Sequence, residues 1–190
     1  ISDDSRLRFN LGSMGYVAAR NSKRKSGFVS GSFAMGYNTL ANFNQTTTMQ
    51  GINNQSTMLD DFTWRANSET GDLNVFYEQV AYDAFLLPYD SIAGEYWNDI
   101  QDGGYGQEQR RFVEQSGYIG EYSLSGAFNF SNFLYFGATF GIHSVRFYEN
   151  IYHNELDPTD QILNFNSFQF TEINTTRGYG FTGRFGMIIR

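Results

Sequence analysis

The stretch Gly117-Tyr118-Ile119-Gly120-Glu121-Tyr122-Ser123-Leu124-Ser125-Gly126-Ala127-Phe128-Asn129-Phe130 decides the fold. Tyr118, Tyr122, Leu124, Phe128 and Phe130 share one face, while Glu121, Ser123, Ser125 and Asn129 share the other. A period of two is the signature of a β-strand, whose successive side chains point to opposite faces. Ser131-Asn132 reads as a tight turn, and the alternation resumes at Leu134 and runs to about Tyr148. There Leu134, Phe136, Ala138, Phe140 and Ile142 stand against Gly137, Thr139, Gly141 and His143.

The same pattern appears upstream and downstream. Arg6 to Arg20 forms a first strand candidate, with Leu7, Phe9 and Leu11 opposite Arg8, Asn10 and Gly12. Asn21 to Gly27 is a polar turn. Phe28 to Leu40 then sets Val29, Phe33, Met35 and Tyr37 against Ser30, Ser32, Gly36 and Asn38, which completes a hairpin. A last strand region spans Leu163 to Arg190, with a bend expected near Arg177-Gly178. Tyr179, Phe181, Phe185, Met187 and Ile189 lie on one of its faces, and Gly180, Thr182, Arg184 and Gly186 on the other.

Between Asn42 and Glu114 the alternation is lost. Gln45 to Thr57 is rich in Gln, Asn and Thr and predicts a polar loop. Asp72 to Leu87 has helical spacing and is stopped by Pro88. Ser91 to Ile100 predicts a second, weaker helical piece, and Asn150 to Asp160 a shorter polar loop. The expected organisation is therefore strands over 1–41, a long loop with short helices over 42–114, and strands again over 115–190.

Two architectures share this alternation. In a soluble β-sandwich the polar face meets water and carries Lys, Glu and Thr. Here it is mostly Gly, Ser, Asn and Thr, which suits the crowded interior of a barrel. Several strands alternate for ten residues or more. Soluble strands average about 5–6 residues, whereas tilted membrane-spanning strands need about 9–11. Tyr16, Tyr37, Tyr118, Tyr135, Tyr148 and Tyr179 gather near strand ends, as interfacial girdles do. Short turns alternating with long loops point the same way. The expected fold is all-β, an antiparallel transmembrane β-barrel fragment of about five strands. A membrane barrel needs about eight strands at least, so the chain is expected to be incomplete.

Composition bounds the function. Aromatics are 18 % of the chain, with 20 Gly and 2 Pro, which favours strands. A net charge of −7 argues against nucleic acid, whose backbone recruits Lys and Arg. The dense basic run Lys23-Arg24-Lys25 reads as a solvated turn. With no Cys, thiolate metal sites and cysteine nucleophiles are excluded. Neither Gly-x-Ser-x-Gly nor His-Glu-x-x-His occurs, and no enzyme activity, cofactor or metal is expected.

Three stretches carry a family resemblance: Asn42-Phe43-Asn44-Gln45, the helical segment Val75 to Leu87, and the closing Arg177 to Arg190. Together they resemble the outer-membrane transporters of long-chain fatty acids and other hydrophobic compounds, the FadL/TodX type, in the manner of Bacteroidetes members. The resemblance implies a 14-stranded barrel in the bacterial outer membrane, an N-terminal hatch in the lumen, and long outer loops that catch an apolar ligand. The hatch, with its Asn-Pro-Ala segment, and the later strands lack counterparts here, so an early-to-middle section of the barrel is expected. The expected partners are outer-membrane lipid and a small hydrophobic ligand, a fatty acid or an aromatic, bound by a monomer. A general porin and a soluble adhesin or carbohydrate-binding sandwich stay open beside this reading.

The candidate site lies in the long loop. Phe62, Trp64, Phe76, Tyr77, Phe85, Leu87, Tyr96 and Trp97 are the rings and apolar groups expected to line a ligand groove, or else to pack into a small cap. Such grooves are mostly apolar with few polar anchors. Arg110 and Arg111 are the candidate anchor for a ligand carboxylate. Glu121, His143 and Arg184 fall on the predicted inner face. The acidic pairs Asp3-Asp4 and Asp60-Asp61 lack the spacing of a calcium loop and read as solvated charges.

Overall fold

A computed structural model of the protein describes residues 11–68 and 72–190. Its elements in chain order are β1 (Ser13–Asn21), β2 (Phe28–Asn42), β3 (Gln45–Asn53), α1 (Met58–Ser68), α2 (Glu78–Asp83), β4 (Tyr89–Asp90), β5 (Glu95–Tyr96), α3 (Asp99–Asp102), β6 (Gln107–Phe130), β7 (Leu134–Leu156) and β8 (Ser167–Ile189). The fold is all-β and mostly antiparallel, as expected. The chain divides into two units. One takes in residues up to Gln45, Glu114–Glu149 and Ile173–Arg190, and the other Thr46–Val113 and Asn150–Glu172.

The first unit is a sheet in the order β1-β2-β6-β7-β8. Its register follows from the alternation, because a one-residue slip would turn every side chain to the wrong face. Tyr16 sits opposite Met35, Met35 opposite Leu124, and Tyr37 opposite Tyr122. On the other face Gly15 meets Gly36, Gly36 meets Ser123, and Asn38 meets Glu121. The apolar face is bare among the described residues: Tyr16, Tyr179, Phe181 and Phe185 are each more than 60 % exposed.

Two tight connections hold one end of this sheet. Ser131 and Asn132 both have φ 55°, and the Phe133 amide donates to the Phe130 carbonyl at 3.0 Å. Two consecutive positive φ values make the type I′ turn that matches strand twist. The Ser131 amide donates to the Gly27 carbonyl at 2.8 Å, tying this turn to the one between β1 and β2. Gly117 is required where β6 passes β7: its φ is +128°, and a Cβ there would lie 2.0 Å from the Arg146 carbonyl oxygen.

The second unit is built around short helices. Thr57 and Asp60 start α1 with a reciprocal cap: the Thr57 amide donates to Asp60 Oδ2 at 2.9 Å, and the Leu59 amide approaches Thr57 Oγ1 at 3.3 Å. Asp60 and Asp61 in the first turn and Arg65 in the last suit the helix dipole. Leu59, Phe62, Ala81, Leu87, Ile100, Ile162 and Phe165 form the core.

Several boundaries differ from the sequence expectation, each for a local or long-range reason. The expected helix over Asp72–Leu87 shrinks to Glu78–Asp83. Asn74 bends the preceding chain by accepting from the Phe76 amide at 2.9 Å, a side-chain bond that competes with helix. The expected helix over Ser91–Ile100 is instead the β4–β5 hairpin followed by α3. Asp90 Oδ1 accepts from the Ile92 and Ala93 amides, and Gly94 takes φ +76° to close that hairpin. Part of the polar loop expected over Gln45–Thr57 is strand β3, paired with β6. Helix α1 carries no sequence expectation at all. Likewise the loop expected from Asn150 begins only after Leu156, and β8 starts at Ser167, not Leu163. No break interrupts β8 at the expected bend near Arg177. Asp3-Asp4 and the Arg6–Asn10 part of the first strand candidate lie outside the described residues.

Candidate functional site

The eight loop residues singled out above divide into two groups. Phe62 and Leu87 are buried in the core of the second unit, 4 % and 0 % exposed. Tyr77 packs on Phe170 at 6.1 Å with the rings stacked, on Phe62 at 6.1 Å, and under the Arg65 guanidinium at 5.6 Å. Phe62 and Leu87 thus belong to the core of the unit, and Tyr77 is partly buried against it. Trp64, Phe76 and Phe85 are exposed, Phe85 by 88 %. Tyr96 is intermediate: it faces Tyr89 at 4.9 Å across the hairpin and Tyr82 at 6.0 Å. Trp97 is exposed at its side chain while its amide donates to the Pro88 carbonyl at 3.1 Å. Exposed rings therefore remain on α1, on either side of α2 and just after β5.

Arg110 and Arg111 are neighbours on β6, so the pleat sends them to opposite faces. They cannot clamp one carboxylate together; Arg110 is exposed and Arg111 partly buried. The third arginine of this unit, Arg65, is committed to Asp61 at 2.5 Å and lies 3.9 Å from Glu78.

Glu121, His143 and Arg184 come together on the polar face of the sheet. Arg184 Nη2 lies 3.0 Å from Glu121 Oε1 without hydrogen-bond alignment, and His143 Nε2 lies 3.8 Å from the same oxygen. His143 Nε2 is also 3.0 Å from Thr182 Oγ1. Glu121 is buried and Arg184 is exposed. On the same face an open concavity of about 750 Å³ is lined by Ser30, Ser32, Ala127, Asn129, Gly137 and Gly186, among others.

The second unit also holds a buried polar cluster that the sequence reading missed. Glu155, fully buried, accepts hydrogen bonds from Thr57 Oγ1 at 2.7 Å, the Met58 amide at 2.8 Å, Gln107 Nε2 at 3.0 Å and Gln109 Nε2 at 3.1 Å. His153 Nε2 is 2.8 Å from Glu155 Oε1, the oxygen that also accepts from the Met58 amide and Gln109. Burial pushes the Glu155 carboxyl up, but the hydrogen bonds from His153, Met58 and Thr57, with the His153 charge, hold it below the ordinary glutamate value. Asp157 beside it is held low by the Ile162 amide, which donates at 2.6 Å, and by Thr159. The signal in the sequence was the shared parity of Gln107 with Gln109 and of His153 with Glu155. It was legible only if the strands were carried ten and eight residues further than the aromatic alternation reaches.

Chemically, the two polar clusters hold strands and helices in place, and the exposed rings present apolar surface. Among the described residues no group of three or more His, Asp or Glu is arranged to hold a metal ion. No protein-family model, curated protein or solved structure matches this chain.

Proposed function

We propose that the chain forms wall strands and an outer loop unit of a bacterial outer-membrane β-barrel that takes up small hydrophobic compounds. The observation that carries this reading is the bare apolar face of the β1-β2-β6-β7-β8 sheet. A soluble sandwich covers such a face with a second sheet. An uncovered face of this size needs another apolar partner, and lipid is the partner that suits rings on one face and Gly, Ser and Thr on the other. In this reading the wall strands lie in the first unit, and the exposed Trp64, Phe76 and Phe85 of the second unit meet the ligand.

The test is in two parts. The expressed chain should require detergent and fractionate with outer membranes; recovery as a soluble monomer would sink the barrel. In proteoliposomes it should pass a labelled hydrophobic compound with low ion conductance. A large ohmic conductance without uptake would favour the general porin instead.

A further inference from the structure

We infer that the loop unit selects neutral or cationic hydrophobic ligands over hydrophobic anions such as a free fatty-acid carboxylate. The inference rests on the uptake reading above and narrows its substrate class. Charge is strongly segregated along the chain. Thr46–Val113 and Asn150–Glu172 together carry fifteen Asp and Glu against three Arg and no Lys, a net of −12 in a chain whose total is −7. The remainder of the chain is therefore net basic.

The acidic charge is interleaved with the exposed rings. Asp83 is two residues from Phe85, while Asp61, one turn from Trp64 on α1, is paired with Arg65. At the β4–β5 hairpin Asp90 and Glu95 are direct cross-strand partners on either side of the exposed Ile92. Like charges placed opposite each other cost stability in a sheet. A ligand cation offsets that repulsion, and an anion adds to it. Exposed aromatic faces act in the same sense, since a ring attracts a cation and not a carboxylate.

The basic groups of this unit are three Arg. Arg65 is held by Asp61 and Tyr77, and Arg110 and Arg111 lie on β6 facing opposite ways. A surface of one sign raises the local concentration of the opposite charge and depletes its own, by factors of about 10–10³ at low salt.

The two Trp of the chain, Trp64 and Trp97, both belong to this unit, so selectively excited tryptophan fluorescence reports on it alone. The experiment titrates the full chain, held in amphipol, with three probes of equal chain length: dodecylammonium, dodecanol and dodecanoate. The expected result is binding of the ammonium at least about tenfold tighter than the carboxylate at about 0.01 M salt, with the alcohol between them. The ratio should collapse near 1 M salt, where the screening length falls to about 3 Å. The triple variant Asp83→Asn, Asp90→Asn, Glu95→Gln should narrow the ratio without changing binding of the alcohol. Dodecanoate binding as tightly as dodecylammonium would overturn the charge selection and leave hydrophobic uptake standing. Failure of all three probes to bind would overturn the uptake reading, and the selection with it.

Discussion

Glu121 on β6 and Arg184 on β8 meet at 3.0 Å across the intervening strand β7. They can do so because Gly141 of β7 lies between them: a Cβ there would stand 2.5 Å from Glu121 Oε1 and 2.7 Å from Thr182 Oγ1. Gly141→Ala should therefore displace the carboxylate, separate the pair and cost about 1–3 kcal/mol, the usual range for overpacking. Gly183→Ala, where no atom lies within 4 Å of the new Cβ, is the control and should be near neutral. Urea midpoints of the folded chain in detergent or lipid measure both.

The two faces of the sheet predict opposite responses to charge. Phe140 is exposed on the apolar face, and its neighbour Thr139 points the other way, with Oγ1 2.9 Å from Ser125 Oγ. Phe140→Arg should cost about 2–4 kcal/mol if that face meets lipid near the bilayer midplane. Thr139→Arg should cost less. Equal tolerance of both variants in membrane-assembly yield would argue against a lipid-facing sheet.

Glu155 makes the second unit sensitive to acid. Its folded carboxyl is held below its ordinary value of 4.5, so the stabilisation it contributes is present at neutral pH. It is lost as pH falls from the ordinary range down through the lowered folded value. Limited proteolysis of the second unit should accelerate over that window. Glu155→Gln should flatten this pH dependence, and Glu155→Ala should cost about 3–5 kcal/mol at neutral pH by stranding the buried groups around it.

The rings of the second unit should separate by role. Phe62→Ala removes a core ring and should cost about 3–5 kcal/mol in stability. Trp64→Ala with Phe85→Ala touches exposed rings, so thermal stability should hardly change while hydrophobic-probe binding weakens. A double variant that binds like wild type would remove these rings from the proposed ligand surface.

The Ser131-Asn132 turn offers a backbone test. Asn132→Gly keeps the φ of 55° at no steric cost, whereas Asn132→Val places a β-branched residue in the left-handed region. The second change should cost about 1–2 kcal/mol more than the first, visible as slower refolding or a lower urea midpoint.

What the sequence determined by itself was the long antiparallel sheet. Strand parity is a local, period-two property, so the faces of Phe28–Leu40, Gly117–Phe130 and Leu134–Tyr148 could be read residue by residue, and the turn at Ser131-Asn132 with them. The same parity assigned Glu121, His143 and Arg184 to one face. Their meeting depended on the order β6-β7-β8 and on the room left at Gly141, which no window of sequence contains. The loop unit depended on distance still more. Strand β3 has polar residues on both faces and exists because β6 pairs with it. The start of α1 is fastened by Glu155, 97 and 98 residues away in the chain. Which aromatic rings became core and which stayed exposed was settled by that tertiary packing, because burial is a property of neighbours and an isolated Phe carries no mark of having them.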